Sequence, residues 1–158
     1  MRPIYALVFA TLLPGPALAQ DEVTPPVDAA LETAVQEFAP LPAAEVVFDD
    51  QLYIKRPIVV FADSPNDPSF LRQMDLLSRA YAELDERDVI LVVDTDPDAR
   101  SEWRQELRPR GFSLVIMDKD LRPVIRKPLP WNVREITAAI DKMPLRRTEI
   151  LERNPAGR

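Results

Sequence analysis

The chain has 158 residues, of which 46% are hydrophobic and 29% charged, with a formal net charge of −6 and neither cysteine nor histidine. The balance suits one globular domain. The missing residue types exclude thiol redox chemistry, disulfides, thiolate or imidazole metal sites and any Ser-His-Asp triad. Carboxylates, Lys, Tyr or Ser would have to carry any catalysis.

The first residues read as an export signal. Arg2 supplies a positive start, Ile4 to Leu13 form an apolar run, Pro14-Gly-Pro16 breaks it, and Ala17-Leu18-Ala19 is a small-x-small cleavage site. A membrane anchor needs about 20 apolar residues, and this run is roughly half that. Cleavage after Ala19 is therefore expected, with a periplasmic or secreted product and no membrane span left after cleavage. No cysteine follows the site, which excludes a lipidated anchor.

Residues 20–48 read as an acidic, proline-punctuated leader in which Val27 to Phe38 could form a short helix. Residues 20–50 hold eight acids and no base, whereas residues 51–158 are close to neutral with eighteen acids and nineteen bases. An acidic leader argues against nucleic acid as a partner and suits a solvated spacer or contact with a basic surface. The folded domain is placed at 49–153, with a short tail at 154–158.

Pro57 leads into Ile58 to Ala62, a run of β-branched and aromatic residues that predicts a strand buried on both faces. A helix follows, with Asp67 as N-cap and Pro68 at its first position. Its expected buried stripe is Phe70, Met74, Leu77, Tyr81 and Leu84. Asp75, Arg79, Glu83 and Arg87 form a ladder of alternating sign that predicts a solvated face.

Val89 to Val93 is a second apolar strand, so the two strands and their helix predict a right-handed, parallel βαβ unit. Ser101 to Leu107 reads as a short helix stopped by Pro109 and Gly111. Trp103 on it could be core or partly exposed. Phe112 to Met117 and Leu121 to Arg126 then predict a hairpin whose turn has no glycine, leaving Asp120 to take any positive φ. Asn132 and Glu135 form a capping box, with Trp131 and Ile136 in staple positions. Val133, Ile136, Ile140 and Met143 form the buried stripe of the last helix. Pro144 should stop it ahead of a basic segment and a possible final turn through Ile150 and Leu151.

The order β-α-β-α-β-β-α predicts an α/β fold with a four-stranded mixed sheet, the arrangement of thioredoxin. Three stretches carry a resemblance as well: Leu84-Asp-Glu-Arg87-Asp88-Val89, Leu114-Val-Ile-Met-Asp118-Lys119-Asp120, and Ala139-Ile140-Asp141-Lys-Met143-Pro144-Leu-Arg146-Arg147-Thr-Glu149. Together they resemble a bacterial family of unknown function related to the peroxiredoxin-like domains of sushi-repeat and equarin-type extracellular proteins. The resemblance runs from about Tyr53 to Glu152, with its Ile-Asp-x-Met-Pro ending the most specific part. It implies a thioredoxin-like fold in an exported protein and brings no activity. Where such folds carry a Cys-x-x-Cys, this chain has Ser64-Pro-Asn-Asp67, and the place of the usual cis-proline falls near Phe112.

The remaining candidate sites are weak. Asp94-x-Asp96-x-Asp98 opens like a calcium loop, yet Ala99 and Gln105 stand where glycine and a bidentate Glu belong. The same acids after a strand resemble a phosphatase nucleophile motif, for which the downstream Lys119, Lys127, Asp118 and Asp120 are poorly placed. Asp63 and Asp94 should end neighbouring strands with Asp67 nearby, a place for a cation or a raised carboxyl pKa, although helix capping explains them more simply. Ser64 and Ser69 lack a base. Arg134, Lys142, Arg146 and Arg147 suit helix-dipole complementation or the docking of an acidic protein partner. The leading expectation is thus a non-catalytic binding or structural module with no cofactor. The alternative is a thiol-independent, metal-assisted hydrolase using Asp63, Asp67 and Asp94.

Overall fold

The computed structural model describes residues 38–153. The signal segment, residues 20–37 of the leader with all but the last residue of its expected helix, and the tail at 154–158 lie outside the described residues. Among the described residues the fold is α/β, built on one mixed sheet of five strands in the order β1-β3-β2-β4-β5. The strands are β1 (Leu41–Pro42), β2 (Arg56–Phe61), β3 (Val89–Asp94), β4 (Ser113–Met117) and β5 (Pro123–Lys127). β1, β3 and β2 run parallel, and β4 and β5 continue the sheet antiparallel.

The expected count of four strands is corrected to five. β1 pairs Leu41 with Val92 and Pro42 with Val93. A two-residue strand shows no alternation, and its proline has no N–H to give, so it is tolerated only at an edge.

The helices are α1 (Pro68–Ser78), α2 (Tyr81–Asp85), α3 (Glu102–Leu107), α4 (Val133–Ile140) and α5 (Pro144–Arg153). The single helix expected between the first two long strands breaks at Ala80, whose φ of −138° leaves the helical region. Pro144 does not end the chain's helices. α4 has already ended at Ile140, and Pro144 opens α5, in the first turn where its missing N–H costs nothing. In the β4–β5 turn, Leu121 and not Asp120 takes the positive φ, at 58°. Asp120 instead accepts a hydrogen bond from the Arg122 N–H at 3.1 Å.

The central strand supplies both cores, because alternate residues face opposite sides. Ile58 and Val60 pack with Leu77, Leu84, Leu91, Leu114, Ile136 and Ile140 beneath α1, α2 and α4. Val59 and Phe61 pack with Val92, Trp103, Val115 and Met117 beneath α3 and residues 43–48. Trp103 is fully buried, donates its indole N–H to the Val46 carbonyl at 2.7 Å and meets the Phe48 ring edge-on. On the other face Gln73, buried on α1, accepts from the Trp131 N–H at 2.7 Å and donates to its carbonyl at 3.1 Å. That exchange fixes the entry to α4, whose cap closes from Asn132 to the Arg134 N–H.

Candidate functional site

The parallel strands end at Phe61 and Asp94, which places Asp63, Asp67 and Asp94 near the sheet's carboxyl edge. Open α/β sheets usually put their ligands there. Asp94 is buried. Its carboxylate accepts from Arg104 Nη2 at 2.9 Å, from Arg104 Nε at 3.2 Å and from the Ser101 hydroxyl. The same guanidinium donates to the carbonyls of Ala62 and Asp94 and lies 5.4 Å from the centre of the Phe61 ring. Asp63 is exposed and reaches Arg104 Nη1 only at 3.9 Å. The two aspartates do meet, but across a cation that both of them answer.

Asp67 turns away from that meeting. Its Oδ1 accepts the Ser69 and Phe70 N–H groups at 2.8 and 3.0 Å, the first donors of α1. Ser64 Oγ accepts from the Asn66 N–H at 3.2 Å within the loop. Asp96 caps a 3-10 turn at Pro97–Ala99, accepting from Asp98 and Ala99. Gly111, at φ +58°, stands so that a β-carbon on it would lie 3.8 Å from Asp63 Oδ2, bringing the approach to β4 beside the Asp63 loop. A hollow of about 310 Å³ opens between Pro42, Ala43, Thr95, Asp96 and Ser101. Among the described residues, no group of three or more acidic ligands is placed to hold a metal ion.

The opposite end of the sheet is more densely charged. Arg56, the first residue of β2, is fully buried. Its Nε donates to Asp118 at 3.1 Å, its Nη1 to the Arg87 carbonyl at 2.8 Å and its Nη2 to Glu149 on α5 at 2.7 Å. Lys119 bridges Asp88 at 2.9 Å and Glu149 at 3.1 Å. Arg87 grips both oxygens of Asp141 at 3.0 and 2.8 Å. Arg146 stands 3.5 Å from Asp141 and 3.4 Å from Glu149.

Burial pushes the Glu149 carboxyl up, but hydrogen bonds from Arg56 and Lys119, with their charges, lower it to about 2. Asp88 is likewise held below its usual range, burial being outweighed by Lys119 and then Lys55. Asp141 is lowered chiefly by the Arg87 hydrogen bond, and Arg87 is raised by the same bond. Four cations and four carboxylates thus close on one another, their members drawn from the three stretches that carry the family resemblance and from Arg56.

Two sequence expectations change here. Arg87 belongs to this cluster instead of a solvated ladder, although Asp75 and Arg79 do pair on the surface at 2.6 Å. Arg146 is buried, so it stands apart from the exposed Arg134, Lys142 and Arg147. Lys142 borders a separate hollow beside Trp131 and Ile125, where Lys127 sits 4.4 Å over the Trp131 ring. Arg104, Arg56 and Glu149 escaped the sequence reading. Arg104 lies ten residues after Asp94 on an amphipathic turn, and Arg56 opens an otherwise apolar strand; both are available signals. Glu149 offers only Arg146 three residues before it, because Arg56 and Lys119 are remote in sequence.

The family described as a domain of unknown function (DUF4174) matches residues 49–149, more than half of the chain, and the chain belongs to it. No curated protein matches the chain. Among the described residues no helix is long and apolar enough to cross a membrane.

Proposed function

We propose that this member of the DUF4174 family is an exported, non-catalytic module with a thioredoxin-like fold, acting by binding or as a structural support. The order β3-β2-β4-β5, with its parallel pair, antiparallel hairpin and closing helix α4, supports the fold reading. The apolar run and small-x-small site before Gln20 support export. The observation that carries the functional reading is the closed state of Asp94. Its carboxylate is buried against Arg104 and Ser101, and Asp67 is engaged by the first turn of α1. A carboxylate already neutralised by a fixed guanidinium makes a poor ligand for a second cation and a poor nucleophile. Ser64-Pro-Asn-Asp67 then serves as a helix entry in the place where thioredoxin-like enzymes hold a thiol.

Thermal melting of the full chain with and without magnesium or calcium tests this reading. Equal melting temperatures in metal and in ionic-strength-matched sodium chloride support it. A specific rise that Asp94→Asn removes would favour a metal-assisted hydrolase instead.

A further inference from the structure

α5 is joined to the domain in an unusual way. None of its apolar residues is buried: Leu145 is half-buried, Ile150 is 37% exposed and Leu151 is 64% exposed. Its one buried residue is Arg146. The helix is therefore held more by charge than by apolar packing, and its anchor is Glu149. That carboxylate accepts from Arg56 and Lys119 on Oε1 and faces Arg146 on Oε2. The three cations come from the start of β2, the β4–β5 turn and α5 itself. Arg56 is locked by Asp118 and the Arg87 carbonyl, and Lys119 by Asp88, so both stay in place whether or not Glu149 is there. Arg146 is only 8% exposed and is held from the other side, its Nε 3.5 Å from Asp141 while its Nη1 faces Glu149 at 3.4 Å. The Glu149 side chain is 19% exposed, so the place it fills opens to solvent.

We propose that Arg56, Lys119 and Arg146 form a carboxylate-binding socket, filled in the free protein by Glu149 and able to take an external carboxylate in its stead. The ligand class follows from the donors: a rigid guanidinium and an ammonium converge on one oxygen while a second guanidinium meets the other. Without Glu149 the cluster keeps four cations against Asp88, Asp118 and Asp141, and the surplus positive charge is buried. A small carboxylate restores the balance.

The test is chemical rescue of Glu149→Ala in the full chain, read by thermal melting in sodium formate and in sodium chloride of equal ionic strength. The variant is expected to melt below the wild type in chloride and to regain at least half of the lost interval in formate. The wild type and Glu149→Gln, whose sockets are filled, should melt alike in the two salts. Equal melting of Glu149→Ala in the two salts overturns the proposal. If the variant is unfolded in chloride, circular dichroism in the same pair of buffers decides. Helix recovered in formate alone supports the socket, and helix recovered in neither overturns it.

Discussion

The two ends of the sheet each set an arginine against a buried carboxylate, yet they differ in reach. At the carboxyl edge Arg104 answers Asp94 from ten residues away, within one β-to-α connection. At the other end Arg56 meets Glu149 across 93 residues, and Arg87 meets Asp141 across 54. The first pair shapes a local turn and fills a place where chemistry is usually found. The second set ties the start of β2, the β4–β5 turn and the last two helices into one assembly. A buried charge closed locally is a detail of a loop, whereas one closed over long range is a condition of the fold.

That contrast orders the expected effects of substitution. Arg56→Ala should be the most damaging, because it leaves buried Asp118 without its cation and takes one of three cations from Glu149. Losing one partner of a buried pair costs about 3–5 kcal/mol, measurable by urea unfolding. Asp94→Asn should cost less, about 1–3 kcal/mol, since Arg104 keeps two backbone carbonyls while losing its charged acceptor. An Asp94→Asn cost equal to that of Arg56→Ala would erase the distinction between the ends. Asp75→Ala, at an exposed i,i+4 pair, should change stability by no more than about 0.5 kcal/mol.

Acid titration sharpens the same comparison. Glu149 is lowered from 4.5 to about 2 in the folded protein, and Asp88 and Asp141 are lowered as well. A depressed folded pKa means that the unfolded chain binds the proton first, so the stabilisation is complete above the unfolded pKa and is lost as pH falls. Unfolding free energy should therefore hold steady down to about pH 5 and decline between 4.5 and about 2. Glu149→Gln should flatten that decline.

Much of the frame was legible in the sequence, for physical reasons that differ by element. β2 and β3 stood out because strands buried on both faces need unbroken β-branched runs. The Asp67-Pro68 entry to α1 was legible because an acceptor followed by a residue lacking an N–H suits a first turn. β1 was hidden because two residues carry no period. α5 was hidden because Pro144 reads equally well as the end of one helix and the start of the next. At the carboxyl edge the sequence placed Asp63 and Asp94 together but could not show that Arg104 stood between them. Arg146 and Arg147 are adjacent and alike in the chain, and only the packing of α5 turns one inward. The burial of Arg56 depends on residues up to 93 positions away, beyond the range of any local pattern.

The central claim is that charge closed over long range at the amino end of β2 holds α5 to the domain. A double-mutant cycle of Arg56→Met and Glu149→Gln, followed by urea unfolding, tests it most directly. The account predicts a coupling energy toward the upper end of the range for residues in contact, about 1.5–3 kcal/mol. Costs that add to within about 0.5 kcal/mol would contradict it.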